Sequence, residues 1–148
     1  MAAATIAVAS DHAGFDLKEI LKRDLMAAGH EVLDLGTNSS ASVDYPDFGH
    51  AMGDAIASGR AGRGVLVCGS GIGISIAANR HRHVRAAVCQ DVTAARLARQ
   101  HNDANVLALG ARLIGEEVAR DCLKVFLDTP FEGGRHARRV AKLSAEHP

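Results

Sequence analysis

Short runs of β-branched and other apolar residues alternate along this chain with segments whose apolar residues recur at helical spacing. Such alternation is typical of a parallel sheet whose crossover helices cover both faces. The predicted strands are residues 5–9, 31–35, 64–68, 85–89 and 105–109. The sequence therefore predicts an α/β fold, a three-layer α/β/α Rossmann-like arrangement with a five-stranded parallel sheet.

The helices are predicted from their apolar faces. The first places on one face Leu17, Ile20, Leu21 and Leu25. Lys18, Lys22 and Arg23 fall outside this face, and Gly29 follows as a stop signal. Further helices are predicted at residues 46–58, 71–79, 92–101 and 116–127, with an amphipathic C-terminal helix at 135–145.

Length and composition limit the classes of protein. A chain of 148 residues fits one domain, residues 1–148, and its 47% of apolar residues suffice for a core. Because Lys+Arg and Asp+Glu both number 17, no net charge favours nucleic acid or an anionic membrane. Three cysteines without CxxC spacing predict neither disulfides nor zinc, which indicates a cytoplasmic protein. Neither a signal peptide nor a membrane span is predicted.

Ligands of doubly wound sheets bind beyond the carboxyl ends of the strands, where the winding direction reverses. The turns that follow strands here are residues 10–14, 68–73 and 90–91. Because the first and third strands are neighbours in the usual strand orders, the first two turns should face each other.

Gly69, Gly71 and Gly73 alternate directly after the third strand and open a helix. Several N–H groups can therefore converge on an anion, although a tight turn alone would also need glycine. A dinucleotide fingerprint needs glycine, and a cysteine phosphatase carries arginine, at the position of Ile74. A P-loop needs a lysine followed by serine or threonine, and this turn has none. All three patterns are therefore disfavoured.

Cys68 ends the buried strand in front of this turn. A free cysteine is often an inert small apolar residue, but a helix N-terminus and nearby N–H groups favour the reactive thiolate. Cys89 and Cys122 have no such setting and are predicted to lie in the core.

Other polar residues are candidates for either structural or functional roles. Asp11 either caps the next helix or faces the glycine turn, whereas His12 has no evident structural role. His101 suits the negative end of a helix. Arg135 and Arg139 share one helix face and form either a phosphate clamp or a solvated basic surface.

Five motifs together resemble the ribose-5-phosphate isomerase B family, which includes galactose-6-phosphate isomerase subunits, over nearly the whole chain. They lie at residues 10–14, 44–47, 68–79, 99–103 and 131–136. One branch of the family uses cysteine as its base, and the other has glycine there with glutamate at position 74. Cys68 and Ile74 place this chain in the cysteine branch. Ser70 replaces the usual threonine and keeps the hydroxyl.

The resemblance implies aldose–ketose isomerisation through a cis-enediol, with Cys68 as the base, Ser70 beside it and His101 opening the sugar ring. It implies substrate contacts from a larger set: Asp11, His12, Tyr45, Gly69, Gly71, Ile72, Gly73 and Asn102. It implies phosphate binding by Arg112, Arg135 and Arg139.

No metal or organic cofactor is implied. The expected substrate is D-ribose 5-phosphate, interconverted with D-ribulose 5-phosphate. The alternatives are a six-carbon phosphate, such as allose or galactose 6-phosphate, or a free rare sugar. The resemblance also implies a homodimer, possibly a tetramer, with active sites between subunits. A cysteine phosphatase and a non-catalytic sugar-phosphate sensor remain the rival functions.

Overall fold

The computed structural model describes residues 5–147, in which five strands form one parallel sheet. The strands are β1 Thr5–Ser10, β2 Glu31–Asp34, β3 Arg63–Cys68, β4 Ala86–Val88 and β5 Val106–Gly110. Their order is β2-β1-β3-β5-β4. The chain therefore reverses its winding direction between β1 and β3, where doubly wound sheets bind ligands. β5 is inserted between β3 and β4, an order that the sequence pattern did not determine.

Residues 5–147 form six helices, of which the first five cover the sheet and the sixth packs against the fourth. They are α1 Phe15–Ala27, α2 Tyr45–Ala57, α3 Ile72–Ala78, α4 Val92–Asn102, α5 Glu116–Asp128 and α6 Arg135–Ser144. One core layer joins α1, α4 and α5 to side chains such as Val8 and Val65, and the opposite layer joins α2 and α3 to Ala9 and Leu66. The predicted three-layer α/β fold with a C-terminal helix is confirmed, and each predicted element end lies within one residue of the observed end.

Local signals explain where two of the helices begin. Asp91 caps α4, because its Oδ1 accepts the Ala94 N–H at 2.8 Å. Gly71 precedes α3 with φ +79°, and a Cβ there would lie 2.9 Å from the carbonyl carbon of Leu109. Only glycine fits this turn without strain, and the turn follows Cys68 directly.

Lys18 differs from its prediction. Its side chain is buried, and Nζ donates to Asp34 Oδ1 at 2.9 Å and to the Thr37 carbonyl at 2.8 Å. Burial alone would raise the pKa of Asp34, but hydrogen bonds from Lys18 and Lys22 lower it below its ordinary value. The helical period missed this contact because Asp34 belongs to a different element. The buried pair fixes the start of the loop that leads to α2.

Candidate active site

Cys68 lies at the carboxyl end of β3 and is 4% exposed. The backbone N–H of Gly71 donates to its Sγ at 3.1 Å. A donor directed at sulfur stabilises a thiolate more than a thiol. Part of the predicted N–H cradle therefore serves Cys68 itself.

The rest of the glycine turn shapes a surface beside the thiol. Ile72 N–H donates to Ser70 Oγ at 3.2 Å, which sets the hydroxyl over the first turn of α3. A Cβ at position 73 would overlap the Tyr45 ring, so Gly73 lets this ring pack against α3. Tyr45 thus forms one wall of the groove that contains Cys68.

The turn after β1 faces the glycine turn, as predicted, because β1 and β3 are paired. Asp11 is buried and lines the Cys68 groove, while its Oδ1 accepts the Gly14 N–H at 3.1 Å. Asp11 therefore faces the glycine turn. It closes the turn before α1 and does not cap the helix, whose N-cap is Gly14. His12 Nδ1 accepts the Val43 N–H at 3.1 Å, a structural role that the sequence did not indicate. This contact ties the loop before α2 to the turn.

Arg112 enters the same groove from the turn after β5. Its backbone N–H donates to the Gly69 carbonyl at 2.9 Å, and its side chain lies beside Gly69. The groove has a volume of about 550 Å³, and its lining also includes three exposed apolar side chains, Ile72, Ile76 and Leu113. A guanidinium next to a thiol and a turn of closely spaced N–H groups suits an anionic substrate.

His101 and Asn102 lie at the opposite edge of the sheet. They end α4, which runs back from the carboxyl end of β4 to the amino end of β5. The register pairs Gly64 with Val106 and Cys68 with Gly110, so the length of a strand separates the two edges. That length is about 13 Å for four residues. Within one chain, His101 therefore does not reach Cys68.

The C-terminal helix joins His101 at this edge. The rings of His101 and His136 stack with centroids 4.5 Å apart. Burial, together with His101 and Arg135, lowers the pKa of His136 below its ordinary value. Arg135 and Arg139 are exposed on the same helix. The predicted phosphate-binding arginines are thus divided, with Arg112 at one edge and the other two at the other.

One group among residues 5–147 resembles a metal-ligand set. The ligand atoms of His101, Glu132 and His136 lie within 4.8 Å of one another. However, the two rings are nearly parallel, with an interplanar angle of 13°. Their lone pairs lie in separate planes and do not meet at one ion, and Arg135 adds positive charge nearby. The geometry favours contact between imidazole and carboxylate over a metal centre.

The other two cysteines are core residues, as predicted. Cys89 and Cys122 are buried in the layer beneath α4 and α5. Burial raises the pKa of the Cys89 thiol to about 12 and also raises that of Cys122. No helix within residues 5–147 is long and apolar enough to cross a membrane.

Sequence reasoning missed Glu132 and the apolar rim of the groove. Glu132 stands in a loop, where no periodicity marks it, and only the fold brings it beside His101 of α4 and His136 of α6. Ile72 and Ile76 are four apart on the short helix α3, so their shared face could have been read as an exposed apolar surface.

These observations define the class of protein: a Rossmann-like α/β protein with a groove around a buried cysteine at the switch point of its sheet. The model of the ribose/galactose isomerase family matches residues 6–143. Ribose-5-phosphate isomerase B of Escherichia coli is 46% identical over 140 residues, 95% of this chain and 94% of that protein. A D-erythrulose-4-phosphate isomerase of Pectobacterium atrosepticum is 41% identical, covering 94% of this chain and 92% of that one.

The fold comparison agrees. The structure of a ribose 5-phosphate isomerase from Thermotoga maritima superposes with a TM-score of 0.93 at 53% identity, covering 95% of this chain and 97% of that chain. The chain belongs to the ribose/galactose isomerase family, and the predicted class of enzyme, an aldose–ketose isomerase, is confirmed.

Proposed function

We propose that this enzyme interconverts D-ribose 5-phosphate and D-ribulose 5-phosphate. The observation that carries the proposal is the Cys68 thiol, held by the Gly71 N–H at the switch point of the sheet. An isomerase needs a base next to donors that stabilise negative charge on oxygen, and both stand in this groove.

Cys68 thiolate removes the proton from C2 of the open-chain aldose. The electrons of that C–H bond form the C1=C2 double bond, and the aldehyde oxygen becomes the enediolate oxygen. N–H groups of the Gly69–Gly73 turn and the Ser70 hydroxyl hold this oxygen. After a proton passes from O2 to O1, the thiol returns its proton to C1 and C2 becomes the ketone. No redox partner enters the balance, and the mechanism uses no cofactor.

Asp11, His12, Tyr45 and Asn102 bind the sugar hydroxyls, and His101 opens the furanose ring. Arg112, Arg135 and Arg139 bind the phosphate, far from the reacting carbons, and thereby hold the flexible chain in place. Because His101, Asn102 and two of these arginines lie across the sheet from Cys68, one chain does not complete the site.

A second copy of the chain completes it. The groove has an apolar rim formed by Tyr45, Ile72, Ile76 and Leu113, each at least 43% exposed. Exposed apolar surface of this kind marks an interface. In a two-fold dimer the rim of each copy meets the other copy's α4–α6 edge, so both sites are completed at once. We propose this homodimer, which can pair further into a tetramer.

Three free thiols also fit a reducing cytoplasm, which is the proposed location. The alternative substrates are six-carbon aldose phosphates, such as allose or galactose 6-phosphate, and free rare sugars. The Pectobacterium relative is named for a four-carbon ketose phosphate, so relatives of similar sequence are named for sugars with different numbers of carbon atoms.

The test is a panel of four-, five- and six-carbon aldose phosphates and free sugars, incubated in deuterated water and followed by NMR. We expect ketose formation to be fastest from ribose 5-phosphate. Faster turnover of a six-carbon phosphate or a free sugar would show that this sugar, and not ribose 5-phosphate, is the preferred substrate. Binding without ketose formation or exchange at C2 would indicate a sensor, and release of inorganic phosphate would indicate a phosphatase.

A further inference from the structure

Glu132 lies against both imidazole rings at the amino edge of the sheet. Its Oε1 is 3.7 Å from Nε2 of His101 and 3.7 Å from Nε2 of His136. Both separations are ion-pair distances, and a hydrogen bond to His101 requires the half-exposed carboxylate to come about 0.5 Å closer.

The backbone around Glu132 is fixed to the helix that carries His101. Glu132 N–H donates to the Gln100 carbonyl at 3.1 Å, and Arg99 Nε donates to the Thr129 carbonyl at 3.1 Å. Two bonds thus anchor this segment to the last turn of α4. The placement of the carboxylate beside His101 follows from the fold.

The Glu132 carboxylate is a negative group beside positively charged side chains of α6. Among the charges around His136, those of Arg135 and Arg139 lower its pKa, and that of Glu132 raises it. His136 is packed against the His101 ring and stacks on its face. One side of His101 is therefore held by a ring and its Nε2 by a negative charge.

We propose that Glu132 is a positioning residue for His101. Its carboxylate accepts a hydrogen bond from the Nε2–H group of His101 and so favours the tautomer that keeps its proton on Nε2. The Nδ1 atom is then free to accept a proton. This rests on the proposed function, in which His101 opens the ring of ribose 5-phosphate. The O1–H proton passes to Nδ1, the C1–O4 bond breaks as C1=O forms, and the same proton then goes to O4.

The experiment compares a substrate that needs ring opening with one that does not. Ribose 5-phosphate closes a furanose ring, whereas 4-deoxyribose 5-phosphate keeps the chain length and the phosphate but lacks O4. Glu132→Gln removes the charge with little change of shape, and Glu132→Asp keeps the charge. Glu117→Gln is the matched control, because Glu117 is 84% exposed on α5 and contacts only Arg120 among the described pairs.

Glu132→Gln should lower kcat on ribose 5-phosphate roughly 10-fold, less than the loss of a whole acid–base group, with KM unchanged. The same variant should turn over 4-deoxyribose 5-phosphate as the unmodified enzyme does. Glu132→Asp should recover part of the lost rate, and Glu117→Gln should match the unmodified enzyme on both substrates.

An equal loss on both substrates would indicate a structural role and overturn the proposal, as would no loss on either. Inactivity of the unmodified enzyme on 4-deoxyribose 5-phosphate would also overturn it, because the need for ring opening would then not be what distinguishes the two substrates. Inactivity of the unmodified enzyme on ribose 5-phosphate itself would instead contradict the proposed function.

Discussion

The two edges of the sheet differ in how completely their functional groups are held. At the carboxyl edge, Cys68, Asp11 and His12 each have a backbone N–H directed at a side-chain atom, and Cys68 and Asp11 are buried. At the amino edge, Arg135 and Arg139 are exposed and reach toward solvent. The carboxyl edge therefore has the rigidity that the proposed proton transfer needs, and the amino edge carries the groups that the proposed dimer offers to its partner.

This difference explains why neither edge alone resembles a finished active site. The carboxyl edge has the Cys68 thiol and N–H donors beside an open apolar rim. The amino edge has a histidine and two exposed cations, and the cavity there is lined by Asn102 but does not contain Cys68. Joining the edges within one molecule would require crossing the sheet. The proposed two-fold pair of chains would join them without changing either fold.

Removal of the base should have the largest effect. Cys68→Ala keeps the small apolar volume at the end of β3, so the fold and substrate binding should persist. Isomerisation should fall by about 10²- to 10⁴-fold or more, the usual contribution of a general base. Steady-state rates with ribose 5-phosphate, alongside binding by calorimetry, provide the measurement. Near-normal turnover would remove Cys68 from the mechanism.

The donor to the thiol comes next. Gly71→Ala places a Cβ at φ +79° against Leu109 and displaces the N–H that faces Sγ, so the rate should fall by about 10²-fold. Gly59→Ala is the matched control, since Gly59 has φ +77° with nothing within 4 Å of its Cβ. Both should lose about 1 kcal/mol of stability from the strained backbone, and Gly71→Ala should lose more because its Cβ also meets the Leu109 backbone, as urea unfolding would measure. Equal activity of the two variants would dismiss the role of the N–H.

The arginines of α6 should affect binding more than chemistry. Arg135→Ala and Arg139→Ala should each raise KM for ribose 5-phosphate by roughly 10-fold, the loss of one charge-assisted contact, and leave kcat nearly unchanged. Arg138→Ala removes a neighbouring exposed charge and should change neither constant. An unchanged KM in the first two variants would count against the phosphate clamp.

The smallest effect on activity is expected at the buried pair that supports the carboxyl edge. A carboxyl whose pKa is lowered by folding adds stability above its unfolded pKa, near ~3.9, and loses it as the pH falls through the folded value. Asp34→Asn should therefore lower the free energy of unfolding by about 2 kcal/mol at pH 7. This is less than for a fully buried pair, because Asp34 is partly exposed, and the difference should shrink below about pH 4.

Urea unfolding at pH 7 and below about pH 4 measures this difference in stability. Asp121→Asn, which removes an exposed carboxyl on α5, serves as control. A pH-independent loss in Asp34→Asn would mean that the charge of Asp34 does not support the loop. Turnover should remain near that of the unmodified enzyme.

Periodicity and turn chemistry predicted nearly all of the fold, because strands of apolar residues and helices with one apolar face leave few arrangements. Two features escaped it. The insertion of β5 between β3 and β4 depends on contacts distant in sequence, and the burial of Lys18 depends on Asp34 in another element. At the site, the glycine turn after Cys68 was readable from spacing. The contact of Glu132 with His101 was not, because it joins a loop to a helix end.

The division of the site between two chains can be tested by mixing two inactive variants. Cys68→Ala and His101→Asn are purified separately, shown to be inactive alone, then mixed, unfolded in urea and refolded together. If each site takes Cys68 from one copy and His101 from the other, every mixed dimer regains one complete site. Random pairing should restore about one quarter of the activity of the unmodified enzyme. A mixture that stays inactive, although mixed dimers form, would contradict the shared site.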